Sequence, residues 1–301
     1  MKTLAALALL CLLAGRAAAG YEEGWPMRTS MHYSVRHEAA PPAGFTGKIE
    51  RIHRSLRREF WSLSRWMDTE KIHIYLYRDL KSYRAGSFSP PSWSNGQARY
   101  SSAPNSPKQL LIPSDASADV IAHETAHLLL GSYFMETKAV PPNWLNEGLA
   151  VMMGRDVENP KKKDYRGPKL ASYIPLRQFF STKPGRDAHQ EGVNAWYGQA
   201  ESLVRFLKAT RPPFNFTRLC KLLREGSSSE RALFQAYSFR SVEEMQKEWL
   251  KWAAEGREKR VRIESRPEPS KAQPPSARPS SGEEDGGVNI RDGEGGVPLL
   301  R

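Results

Sequence analysis

The sequence predicts an α+β fold in which a small, mixed N-terminal sheet packs on a buried helix and is followed by a mainly helical half. Alternation of apolar and polar residues, the period-two mark of a strand, is confined to the chain before residue 113. It is clearest in Met31-His32-Tyr33-Ser34-Val35 and Lys71-Ile72-His73-Ile74-Tyr75-Leu76-Tyr77. Beyond that point apolar residues recur only at helical spacing. One helical stretch, Ala116 to Leu130, is apolar on nearly every side, so it belongs in the interior.

Residues 21–28 read as linker, and Met31–Val35 as the first strand. From Phe45 to Met67 the apolar positions Ile49, Ile52, Leu56, Phe60, Leu63, Trp66 and Met67 predict a long amphipathic helix. Residues 71–77 form the second strand, with His73 on its polar face, and a short helix follows near Leu80–Ala85. Pro90-Pro91 and Asn95-Gly96 mark a loop. Two short strands, Gln97–Tyr100 and Gln109–Ile112, come next. Asp115 then caps the buried helix, and Gly131 is expected to close it. A second helix follows Pro141-Pro142 with Asn143 as its cap and runs to about Met153. The polar, Lys-rich stretch 156–192 reads as loop. Helices resume at 194–210, 215–225, 229–237 and 241–254, the last opened by the capping box Ser241 and Glu244.

Composition bounds the function classes. With 39% apolar and 26% charged residues the chain can build one sizeable core. Met1 to Ala19 has the layout of an export signal: Lys2, an apolar run from Leu4 to Leu13, then Ala17-Ala18-Ala19 before the expected cut. The apolar run is too short for a bilayer span, so no stable membrane span is expected after cleavage, and the chain reads as secreted or periplasmic. Removing the signal removes Cys11 and leaves Cys220 alone, so no intrachain disulfide can form and Cys220 reads as a buried thiol. Formal charge is +12, or +10 once Lys2 and Arg16 are gone and 43 bases face 33 acids. The excess permits weak association with anionic envelope surfaces, and no nucleic-acid motif accompanies it. The expected organisation is a signal peptide at 1–19, a linker at 20–30, one catalytic domain at 31–255 and a disordered Pro/Ser/Gly-rich tail at 256–301. Within the domain the sheet-containing half spans about 31–131 and the helical half about 132–255.

His123-Glu124-Thr125-Ala126-His127 carries the chemistry. Residues four apart share a helix face, so both imidazoles can reach one zinc ion, and Glu124 lies on the neighbouring edge as a base for a metal-activated water. Two histidines and a glutamate in so apolar a helix need polar compensation, which a metal would supply. A catalytic zinc takes three protein ligands and keeps one position open. Twenty residues after His127 lies Glu147, within Asn143-Trp144-Leu145-Asn146-Glu147-Gly148-Leu149-Ala150.

This pairing of a His-Glu-x-x-His helix with a downstream Asn-Glu-Gly-x-Ala helix resembles the gluzincin metallopeptidases, the peptidase MA-like group, in its secreted bacterial type. The resemblance covers Val120 to Met153, with an echo at Trp196 to Leu207. It implies a zincin-like fold, one Zn2+ ion held by His123, His127 and Glu147, and a peptide or protein substrate. It also implies that Tyr197 donates a hydrogen bond to the oxyanion, with His189 a second candidate for that role. Gln97–Tyr100 would be the edge strand along which an extended peptide aligns. Where thermolysin-like enzymes carry an aspartate that orients a ligand histidine, this chain has Val151. No Gly-x-Met-Glu-Asn segment precedes the metal helix, which favours an endopeptidase over an aminopeptidase. A catalytically inactive zinc-binding protein and an envelope-associated scaffold remain the rival readings.

Overall fold

The computed structural model describes residues 21–90, 94–101, 106–158, 173–183 and 190–264. Its strands are β1 (Met27–Thr29), β2 (Tyr33–His37), β3 (Ile72–Tyr77), β4 (Gln97–Arg99) and β5 (Gln109–Pro113). Its helices are α1 (Phe45–Glu59), α2 (Leu80–Ala85), α3 (Ala118–Met135), α4 (Asn143–Glu158), α5 (Leu176–Phe179), α6 (Gln190–Thr210), α7 (Pro213–Arg224), α8 (Ser229–Tyr237) and α9 (Val242–Glu264). The α+β class is as expected, with one five-stranded mixed sheet ahead of a helical remainder.

The sheet order is β1-β2-β3-β5-β4. The inner pairs β2/β3 and β3/β5 are parallel, whereas the edge strands β1 and β4 run antiparallel to their neighbours. Central β3 is buried on both faces because its two residue sets meet two cores. Ile72, Ile74 and Leu76 join the main core with Leu110 and Ile112, while Tyr75 and Tyr77 pack with Tyr83 and Leu111 on the other face. Helix α1 turns Ile49, Ile52 and Leu56 into the main core, the spacing expected of one helical face.

Several element boundaries differ from expectation for identifiable reasons. Met27–Thr29, in the stretch read as linker, is an edge strand, and Glu22 just before it is fully buried, accepting a 2.8 Å bond from the Tyr77 hydroxyl. The long helix expected to Met67 stops at Glu59. Phe60, Leu63 and Met67 are nonetheless buried, because the chain turns through a short 3-10 segment, Arg65–Asp68, back onto the same core. Helix α3 starts after Ser117 and continues to Met135, through Gly131. That glycine does not stop the helix but admits the ring of Tyr100, since a Cβ there would lie 2.0 Å from its Cζ. Asn143 is the first residue of α4 rather than its cap, α4 and α6 take up both ends of the 156–192 stretch, and α9 runs beyond Glu255 to Glu264.

Cys220 is a free thiol with no exposure, and burial raises its pKa to about 12, so it is neither nucleophile nor ligand. Among the described residues no helix is long and apolar enough to cross a membrane.

Candidate metal centre

Helices α3 and α4 pack side by side, and the site lies where they face each other. His123 and His127 stand one turn apart on α3, with ring centroids 4.7 Å apart and planes nearly perpendicular. Their Nε2 atoms are 3.1 Å apart. Glu147 of α4 brings Oε2 to 3.8 Å from His123 Nε2 and 3.5 Å from His127 Nε2. Three donor atoms thus form a near-regular triangle. Four tetrahedral donors at 2.0–2.1 Å from one ion would be separated by about 3.3 Å, so the set fits a metal of zinc's size. Among the described residues it is the group of three His, Cys, Asp or Glu side chains that could hold a metal ion.

The electrostatics agree with that fit. Burial, reinforced by neighbouring His127, pushes His123 down to about 3, so its imidazole stays neutral with a lone pair to offer. Burial raises the carboxyl of Glu147, opposed by His127. A cation would offset the cost of keeping that carboxylate charged in so apolar a setting.

Glu124 stands beside the triangle without joining it. One carboxylate oxygen accepts a 2.9 Å hydrogen bond from the Ala98 N–H of edge strand β4, an amide turned away from β5 and toward α3. Its methylenes occupy the space above Gly96, where a Cβ would lie 3.0 Å from the Glu124 Cγ. Burial raises the Glu124 pKa, and the charge of Glu147 adds to it, against the opposing effects of His127 and the Ala98 amide. A carboxylate shifted upward in this way is suited to exchange a proton near neutral pH.

Tyr197 reaches the site from α6. Helix α6 presses against α4 at Gly148, where a Cβ would lie 2.4 Å from the Ala200 carbonyl oxygen, and this close approach brings the 197–200 turn level with Glu147. Burial, then the charges of Glu147 and Glu124, raise Tyr197 to about 12. Its phenol therefore keeps its proton and can donate it in a hydrogen bond. His189 lies outside the described residues.

Two residues escape a reading by motif. Tyr100, just past β4, is raised by burial and by the charge of Glu147, so a second phenol borders the centre. The clue in the sequence is an aromatic at the end of the predicted edge strand. Arg155 is the other. With Asn95, Gly96, Asp119, Val120, Val151 and Gly154 it lines a cleft of about 300 Å³ that includes His123 and Glu124. A larger cavity of about 610 Å³, between residues 58–63 and α6–α7, contains none of the candidate site residues. Val151 faces the cleft, and His127 Nδ1 is buried with no hydrogen-bond partner among the described residues.

A search of curated proteins returns no match. The peptidase MA superfamily model, by contrast, matches residues 65–255, a span that takes in the central strand, the edge strand and every helix that builds the site. By that match, over more than half of its length, the chain belongs to the peptidase MA superfamily.

Proposed function

We propose that the protein is an exported, zinc-dependent endopeptidase of the gluzincin kind. The observation that carries the reading is the convergence of His123, His127 and Glu147 at 3.1–3.8 Å, with a half-buried carboxylate, Glu124, beside them and outside the triangle. A purely structural zinc site is closed by four protein ligands and has no use for a fifth, non-ligating acid.

In this reading His123, His127 and Glu147 hold one zinc ion, which when bound acidifies a water and polarises the scissile carbonyl. Glu124 takes the proton of the attacking water and returns it to the leaving amine, and its Ala98 hydrogen bond keeps the carboxylate aimed across the cleft. Tyr197 donates its phenol hydrogen to the developing oxyanion. Strand β4, an antiparallel edge at the rim of the centre, would border an extended peptide in the cleft, although its outward Ala98 amide is already engaged by Glu124. The Met1–Ala19 segment would direct export, and 31–255 would form the catalytic domain.

Glu124→Gln is the decisive variant. It should bind one equivalent of zinc, measured by mass spectrometry of the metal, yet lose cleavage of a peptide library by at least about a thousandfold. Retained cleavage would remove Glu124 from the mechanism, and absence of zinc from the wild-type protein would remove the metal assignment.

A further inference from the structure

We propose that Arg155 is a substrate anchor, binding a carboxylate on the peptide a few residues from the bond that is cut. The inference rests on the peptidase reading above and names the substrate class that the cleft selects.

Glu147, Val151 and Arg155 are four residues apart on α4 and therefore share one face of the helix. Glu147 points into the metal triangle, and Val151 and Arg155 continue the same stripe along the wall of the cleft that holds His123 and Glu124. Eight residues of helix rise about 12 Å, the length of three to four residues of extended peptide. A peptide lying in the cleft with its scissile carbonyl at the centre would bring a group about three residues away within reach of Arg155.

The Arg155 side chain is both partly exposed and ion-paired. The Arg155 side chain is 42% exposed, while the carboxylate of Glu201, 3.2 Å from its Nη1, has no exposure at all. Glu201 lies one turn beyond Tyr197 on α6, and its other oxygen accepts a 3.0 Å bond from Arg205 Nε. Arg205 is in turn bound to Asp156 at 2.6 Å. The buried carboxylate is thus shared between two arginines, and one of them reaches the cleft. An arginine steadied from behind loses less freedom when its planar donor fork takes a carboxylate in front. The positive balance of the whole chain would draw anionic peptides toward it. Asp119, on the same wall and packed against Gly154, is the competing charge, and it would favour a basic residue instead.

The test uses the zinc-loaded protein and matched peptides that differ only in Glu or Gln at each position from two to four residues on either side of the cleaved bond. A second set differs only in a free or amidated C-terminus. At one position the anionic member should be cut with a kcat/KM roughly tenfold or more above its neutral twin. Arg155→Gln should bring that ratio to near one, Arg155→Lys should keep part of it, and Arg155→Glu should reverse it in favour of a lysine peptide. Discrimination confined to the side-chain set identifies an acidic residue as the ligand, and discrimination confined to the terminus set identifies the C-terminus. A wild-type ratio near one throughout, a ratio unchanged in Arg155→Gln, or a preference for lysine that disappears in Asp119→Asn would overturn the proposal. If the wild-type protein cuts no peptide, the peptidase reading fails separately. The same pairs, fluorescently labelled, then decide by equilibrium binding: tighter binding of the acid that is lost in Arg155→Gln supports the anchor, and equal binding refutes it.

Discussion

Replacing Gly148 by alanine puts one methyl group between the two helices that carry Glu147 and Tyr197. The added Cβ would lie 2.4 Å from the Ala200 carbonyl oxygen, 2.7 Å from its carbon and 2.9 Å from Val204 Cγ2. Restoring an ordinary contact needs α4 and α6 to separate by about 1 Å. The obstacle is helix backbone, so no side chain can swing aside. Overpacking of this kind costs about 1–3 kcal/mol or somewhat more, and alanine's better helix propensity returns at most about 1. A net loss of about 2 kcal/mol should lower Tm by roughly 4–8 °C in a domain of this size. Thermal unfolding followed by circular dichroism on the zinc-loaded protein reads the shift, with Gly192→Ala as control. Nothing lies within 4 Å of a Cβ at Gly192, also within α6, so that variant should hold or raise Tm. At Gly131 the obstacle is the flexible Tyr100 ring, and alanine there should cost less than at Gly148. A Gly148→Ala protein as stable as Gly192→Ala would refute the close approach of α4 and α6, and with it the account of how Tyr197 reaches the site.

Other consequences are equally measurable. Buried His53 is held down at about 4 by burial and by stacked His32, whose ring centroid is 3.8 Å away. Because its folded pKa lies below the usual 6.5, the unfolded chain binds more protons between those values. Stability should therefore be full above pH 6.5 and fall by up to about 3 kcal/mol as pH drops to 4. Urea unfolding at pH 7.5 and 5 should show this slope flattened in His53→Gln, whose amide can still donate to the Met67 carbonyl as the ring Nε2–H does at 3.1 Å. Glu201→Leu takes the Nε partner from the largely buried Arg205 and should cost about 3 kcal/mol, seen as a lower urea midpoint. Tyr197→Phe should lower kcat about a hundredfold with little change in KM, as expected for a donor used only in the transition state. Tyr100→Phe should have a much smaller effect if Tyr197 is the oxyanion donor, and equal losses would reassign that role.

The candidate centre was legible in the sequence because helical spacing brings residues four apart together whatever surrounds them. His123 and His127 needed only the helix to be neighbours, and Glu147 needed only a return of the chain. The central strand Ile72–Tyr77 was legible for the same local reason, since its side chains alternate along the sequence, but its burial on both faces was not, because that comes from two separate cores. What escaped depends on contacts between distant segments. Gly131 has the local look of a helix stop, yet the helix continues, because the glycine makes room for a ring 31 positions earlier. Phe60, Leu63 and Met67 kept the rhythm of α1 although the helix had ended, since burial depends on facing the core and not on remaining helical. Met27–Thr29 gave no signal because every residue of this edge strand is exposed, leaving backbone pairing with Tyr33–His37 as its whole basis.

Arg155 shows where such reading stops. Its helical register with Glu147 can be counted from the sequence, but its interest lies in a partly exposed side chain ion-paired with a buried carboxylate 46 positions away. Periodicity says which face of α4 it occupies and nothing about Glu201. The chemistry shared across the superfamily is written in local motifs that survive any change of surroundings. Selectivity, by this reasoning, is written in pairs such as Arg155 and Glu201, which become neighbours only when α4 and α6 meet at Gly148. A family match can therefore point to metallopeptidase-like hydrolysis while leaving the substrate open, and the α4–α6 contact is where this chain's substrate should be sought.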